Sequence, residues 1–304
     1  MSLVSRVALR VRTQPRLSRL VLKLVPDLPL RVSVEGLGRF RVHLRRNRWL
    51  FLRDPWEVER TPFAMLQHMV APGDVVFDVG ANLGLYCRFL VQRLGAGAVV
   101  AFEPIDENLR SLRINLKLGG IESRVTVVPL AVADSDGMST FQLDDVQSAS
   151  GTLDEVTEGA PSVGRQNLGL GPRTRTVPCR RLPTAIAEFG LPTPRVIKLD
   201  VEGAEAMLLR GAASWLAEEQ PDLVIELHGA QVAREVLSLL DDLGYSSVAA
   251  VDRRIDPSGF MAVDSSLNPQ IVGLYDVHFV AASCDPARLP RSLRLDAEGP
   301  QQQR

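Results

Sequence analysis

Between positions 76 and 86 the chain reads Val76-Phe-Asp-Val-Gly-Ala-Asn-Leu-Gly-Leu-Tyr86. The acid Asp78 sits one residue before the end of an apolar strand. Gly80 follows that strand directly, and Gly84 opens the next helix. Glycine at such a place lets the backbone turn sharply and leaves room for a ligand where a Cβ would stand. The start of the helix offers backbone N–H groups to that ligand. Glu103 closes the next apolar run, Ala98-Val-Val-Ala-Phe102, and stands 19 residues after Gly84. A carboxylate there accepts hydrogen bonds from both hydroxyls of a ribose. These residues suit a nucleoside-bearing cofactor at the carboxyl edge of an open α/β sheet.

Two such cofactors compete. Dinucleotide turns use G-x-G-x-x-G, whose second glycine lets the chain approach a pyrophosphate. Here the spacing is Gly80-x-x-x-Gly84, and Asn82 occupies the place of that second glycine. No Lys or Arg cluster accompanies the turn, and Asp78 adds negative charge. A pyrophosphate is repelled there, while a sulfonium or an ammonium is attracted. The turn therefore favours S-adenosylmethionine over NAD(P). Asp78, Gly80, Asn82 and Gly84 would line its methionine part, and Glu103 would bind its ribose. Asp134, after the third strand, either approaches the adenine edge or is a solvated loop acid.

A second group lies at the same sheet edge. Asp200 and Glu202 follow the strand Val196-Ile-Lys-Leu199, and Gly203 lets the chain turn. His228 follows the strand Leu223–Leu227. In-line methyl transfer draws most of its acceleration from holding two reactants close and aligned. An alcohol must also lose its proton, to a carboxylate or a histidine. Asp200 and His228 are the candidate bases. Glu202 and Glu226 either fix the imidazole tautomer or bind the cofactor's amino group. Carboxylates suit magnesium, but Asp200, Glu202 and His228 do not have the spacing of a ligand motif, and no metal is expected. His43, His68 and His278 have no acidic motif nearby and read as structural. Tyr86 and Trp56 read as core.

These residues need a sheet to bring them together. Arg31–Glu35 and Arg39–Leu44 alternate around Gly36 and Gly38, which predicts a β-hairpin. Residues 57–70 have helical spacing. Strands follow at 74–79, 98–102, 125–129, 196–199, 223–227, 246–251 and 275–281, the last two as an antiparallel pair. Helices are predicted at 83–94, 106–118 (Asp106 as N-cap), 204–216 and 231–243. Strands that are apolar along their whole length belong to a sheet covered on both faces. Alternating β and α units give a doubly wound, mostly parallel, seven-stranded Rossmann-like sheet. The domain organisation is a basic arm and β-hairpin extension at 1–56, a catalytic domain at 57–284 and a disordered tail at 285–304. A polar, glycine-rich stretch at 144–174 reads as a mobile insertion that shapes the acceptor pocket.

The motifs resemble the FkbM type of class I methyltransferases. The matching segments are Asp78-Val-Gly-Ala-Asn-Leu-Gly84, Phe102-Glu-Pro104, Asn108, Asn115 and Ala131-Val-Ala-Asp134. The second half adds Ile197-Lys-Leu-Asp-Val-Glu-Gly-Ala-Glu205, Leu208, Arg210-Gly211 and Ile225-Glu-Leu-His228. The resemblance covers about residues 57–282. It implies an S-adenosylmethionine-dependent O-methyltransferase acting on a hydroxyl of a sugar or secondary metabolite. One departure stands out: where that family often has Thr-Leu-Asp, this chain has Arg181-Leu-Pro183. A proline-flanked loop of the kind used for amine acceptors is missing after Leu199, which disfavours N-methylation. An NAD(P)-dependent oxidoreductase and a non-catalytic cofactor-binding protein remain the alternatives.

Bulk composition narrows the partners. The net charge is −1 and aromatic content is 5%, which argues against a nucleic-acid partner and against a base-stacking surface. The charge is uneven: residues 1–50 carry 12 Lys/Arg against 2 Asp/Glu. Residues 1–25 are either a weak contact for an anionic membrane surface or a helix packed on the domain with its charges solvated. Cys87, Cys179 and Cys284 are scattered, which fits reduced thiols in a cytoplasmic protein. No apolar run reaches the length of a membrane span. Arginines interrupt the N-terminal apolar residues throughout, which argues against a secretory signal.

Overall fold

The computed structural model describes residues 27–44, 46–47, 49–144, 150–153, 171, 173–250, 260–263 and 279–290. The basic arm at 1–25, most of the 144–174 insertion, His278 and the tail beyond 290 lie outside the described residues.

The hairpin forms as β1 (Pro29–Val34) and β2 (Gly38–His43), paired antiparallel. Three helices follow: α1 (Trp49–Leu52), α2 (Pro55–Val58) and α3 (Arg60–Met69). Asp54 caps α2 by accepting from the Trp56 N–H. The wound unit then runs β3 (Val75–Val79), α4 (Leu85–Gln92), β4 (Ala98–Phe102), α5 (Asp106–Gly119) and β5 (Val125–Val128). After an excursion it resumes with α6 (Leu182–Phe189) and β10 (Val196–Leu199). It continues with α7 (Glu205–Glu219), β11 (Asp222–Glu226) and α8 (Ala230–Asp242). It closes with β12 (Ser246–Ala250), β13 (Phe260–Val263) and β14 (Phe279–Ser283). The excursion holds β6 (Ala131–Val132), β7 (Gly137–Asp144), β8 (Ser150–Leu153) and β9 (Thr174–Arg180).

The main sheet has the order β13-β12-β14-β11-β10-β3-β4-β5. β11, β10, β3, β4 and β5 are parallel, and β14 is antiparallel to both β11 and β12. The seven predicted strands are present, the last as Phe279–Ser283, with positions 275–278 of its predicted span outside the described residues. An eighth, β13, adds antiparallel to the β12 edge. Its four residues are too few for a periodic signal, and this strand was not anticipated. Alternation along β3 separates the two core layers. Val76 packs with α3, α4, α5 and the hairpin, while Phe77 and Val79 pack with α6, α7 and α8. The hairpin buries Val34, Leu37, Phe40 and Val42 in the same layer as Phe89 and Leu112.

One further expectation is corrected. Asp106 is the first helical residue of α5 and Ile105 is its N-cap, with no side-chain cap bond. Around the insertion expected at 144–174, most of which lies outside the described residues, β6, β9, β7 and β8 make a second, four-stranded sheet. The departure at Arg181-Leu-Pro183 opens α6, where Asp136 accepts from the Arg181 N–H and the Thr184 hydroxyl. A carboxylate from the connection between β6 and β7 thus serves the helix start. The three cysteines are free thiols. Among the described residues no helix is long and apolar enough to cross a membrane.

Candidate active site

The parallel register decides what meets at the carboxyl edge. Leu199 pairs with Val79, Val79 with Phe102, and Leu199 with Ile225. The following residues, Gly80, Glu103, Asp200 and Glu226, therefore emerge side by side. Strand order reverses between β3 and β10, the kind of place where open α/β sheets bind ligands. A cleft with about 580 Å³ of empty space opens to solvent there. Gly80, Asn82, Glu103, Asn108, Asp200 and Glu202 help to line it.

Glu103 is 4% exposed. Its Oε2 accepts from the Asn82 N–H at 2.9 Å and its Oε1 from the Ile105 N–H at 2.8 Å. Burial pushes its carboxyl up to about 7, against the pull of those two N–H bonds and of Asn108. Asn82 has φ +49, and its side-chain oxygen is buried with no hydrogen-bond partner among the described residues. Four of the turn's N–H groups are spent internally. Those of Gly80 and Ala81 donate to Phe102 O, that of Asn82 to Glu103, and that of Gly84 to Ala81 O. A pyrophosphate cradle needs such groups free.

The two glycines answer to packing as well as to a ligand. A Cβ on Gly80 would stand 1.8 Å from Asp200 O, and one on Gly84 would stand 2.7 Å from Leu112 Cδ1. Gly80 lies in the cleft lining, while Gly84 caps α4 outside it.

Asp78 is fully buried on the α4 side of β3 and does not line the cleft. Its Oδ2 accepts from Cys87 Sγ at 3.2 Å, and its Oδ1 lies 3.3 Å from Lys198 Nζ. Lys198 also reaches Asp200 Oδ2 at 3.3 Å. Burial works against its ammonium, but Asp200 and Asp78 outweigh burial and hold it charged.

His228 stands at the centre of an acidic cluster. Its Nδ1 is 2.8 Å from Oε1 of the buried Glu205. Its Nε2 is 3.6 Å from Glu202, 3.7 Å from Glu226 and 4.0 Å from Asp200. Burial lowers the imidazole pKa, but the Glu205 hydrogen bond and the charges of Glu205, Asp200 and Glu202 raise it to about 10. Burial and the charge of Asp200 push the Glu226 carboxyl up to about 9. Asp200 is held below the usual carboxylate range, because Lys198 and His228 outweigh its burial.

Asp134 is exposed and lies outside the cleft lining, with its Cα packed over Gly211. Tyr86 is buried, and its hydroxyl donates to Glu59 at 2.5 Å. Trp56 packs edge-on against Phe63 and Phe89. His43 faces Asp27 and Arg46, and His68 is exposed. Sequence reasoning assigned no role to Lys198 or Glu205. A lysine inside the otherwise apolar run Val196–Leu199 was the available signal, since a buried charge needs a partner.

The methyltransferase FkbM domain family matches residues 78–247. AmbE, an antimetabolite synthetase of Pseudomonas aeruginosa, is 30% identical over 184 residues, which is 53% of this chain and 9% of AmbE. The chain thus spans a small part of that relative. The 31-O-demethyl-FK506 methyltransferase FkbM of Streptomyces tacrolimicus is 30% identical, over 60% of this chain and 76% of that one. The hexuronic acid methyltransferase AglP of Haloferax volcanii is 26% identical, over 72% and 82%. With its motif residues gathered at one sheet edge and the domain matched over more than half its length, this chain belongs to the FkbM methyltransferase family.

Proposed function

We propose that this chain transfers the methyl group of S-adenosylmethionine to a hydroxyl of a sugar or small metabolite. Glu103 carries the proposal. Its carboxylate sits in the cleft at the end of β4, braced by two N–H groups, where a ribose diol can donate to it. The unpartnered Asn82 oxygen beside it suits a donor such as the cofactor's ammonium. The internally engaged N–H groups of the turn oppose a pyrophosphate, and with it the NAD(P) reading. Two relatives support the acceptor class, one named for a 31-O-demethyl substrate and one for a hexuronic acid.

The methyl carbon passes from sulfur to the acceptor oxygen, and S-adenosylhomocysteine leaves. The hydroxyl proton goes to Asp200, the candidate base that lines the cleft. Positioning in the cleft supplies the alignment that in-line displacement needs.

Calorimetry with S-adenosylhomocysteine tests the cofactor. Micromolar binding is expected, weakened by about 1.5–3 kcal/mol in Glu103→Ala, the range for a hydrogen bond to a charged group. Absence of binding, with NADH binding in its place, sinks the proposal.

A further inference from the structure

We propose that Asp200, Glu226 and His228 form a binding site for one divalent metal cation. Asp200 follows β10, Glu226 ends β11 and His228 stands two residues later, so one sheet edge presents all three. Each offers one donor atom, and the three atoms lie within 4.8 Å of one another. His228 Nε2 is 3.7 Å from Glu226 Oε1 and 4.0 Å from Asp200 Oδ1. Those separations are too long for hydrogen bonds. They fall between the two donor separations that one bound ion sets. Metal–donor bonds of about 2.1 Å set neighbouring donors about 3 Å apart and opposite donors about 4.2 Å apart.

A second observation stands behind the imidazole. Glu205 is fully buried, and its Oε1 meets His228 Nδ1 at 2.8 Å while also accepting from the Gly203 N–H. That contact holds a proton on Nδ1 and turns Nε2 toward Asp200 and Glu226. A carboxylate in this place orients metal-binding histidines and raises their basicity. The other Glu205 oxygen, Oε2, is buried with no hydrogen-bond partner among the described residues.

The local charge points the same way. Lys198 and His228 face five carboxyl groups, those of Asp78, Asp200, Glu202, Glu205 and Glu226. Lys198 engages Asp200 Oδ2, and Asp200 Oδ1 is the oxygen that faces His228 Nε2. Two carboxylates and an imidazole suit Mn²⁺, while Mg²⁺ prefers oxygen throughout. Asp200 lines the cleft, so the ion would stabilise an acceptor alkoxide there. That consequence rests on the methyl-transfer reading, and ion binding does not.

The test titrates chelator-treated full chain with manganese(II) chloride in the absence of cofactor, following free manganese by electron paramagnetic resonance. One ion should be taken up per chain. Asp200→Asn and Glu226→Gln should each weaken uptake at least about tenfold, and Glu205→Gln by about 10- to 100-fold. Circular dichroism checks that the variants fold. If one does not, pulsed resonance on the native complex reads the imidazole directly through its nitrogen coupling. Lack of saturable uptake, uptake indifferent to Asp200→Asn and Glu226→Gln, or a bound ion without nitrogen coupling overturns the proposal. Binding of S-adenosylhomocysteine is measured separately, so either result stands without the other.

Discussion

Lys198 and Asp78 lie directly across from each other on β10 and β3, with Nζ 3.3 Å from Oδ1 and both side chains sealed from water. The pair sits beneath the cleft, and Lys198 reaches past it to Asp200 and to Gly80 O. It ties the Gly80 turn to the loop that carries Asp200.

Removing one partner of such a pair leaves a buried charge uncompensated. Lys198→Met should therefore destabilise the fold by about 3–5 kcal/mol. Urea unfolding measures this, and a cost below about 1 kcal/mol would show that the pair is not what holds the two strands' ends.

Glu103 predicts a pH dependence. Its carboxyl is raised to about 7 by burial, above its unfolded value. The protonated form thus stabilises the free fold fully below about 4.5, and that contribution is lost as pH rises through about 7. Cofactor binding runs the other way, because the ionised carboxylate is the stronger acceptor for a ribose diol. Affinity for S-adenosylhomocysteine should rise through pH 7, with proton release. Calorimetry in buffers of different ionisation enthalpy checks it, and Glu103→Gln should flatten the profile.

Gly80 has φ +81, and a Cβ there would press into the Asp200 carbonyl. Gly80→Ala should cost at least about 2 kcal/mol and displace Asp200. A thermal melt and cofactor calorimetry on the same variant read both effects, and unchanged values in both would contradict this packing.

Asn115 clamps the hairpin. Its side chain is fully buried, accepts from the Arg41 N–H at 2.7 Å, and donates to Arg41 O and Leu83 O. Asn115→Ala leaves those groups unpaired, at about 1–3 kcal/mol. Hydrogen exchange across β1 and β2 should accelerate, while β3 and β10 stay protected.

Much of this was written locally. Apolar runs determined the wound strands, because a strand buried on both faces must be apolar along its length. The Gly80 turn and the position of Glu103 followed from chain spacing alone. The family resemblance also brought Lys198, Glu205 and Asn115 into view as letters without roles. Their roles depend on strands that are neighbours in space and distant in sequence. Lys198 meets Asp78 only because β10 inserts beside β3 in one register. Asp200, Glu226 and His228 come together only because β10 and β11 end at the same edge. The second sheet and β13 were equally hidden, since short strands carry little periodicity and are stabilised by their partners. Sequence determined the strands of the wound sheet and where the glycine turn lies. Tertiary structure decided which charges face one another, because hydrogen-bonded register, not chain distance, sets those separations.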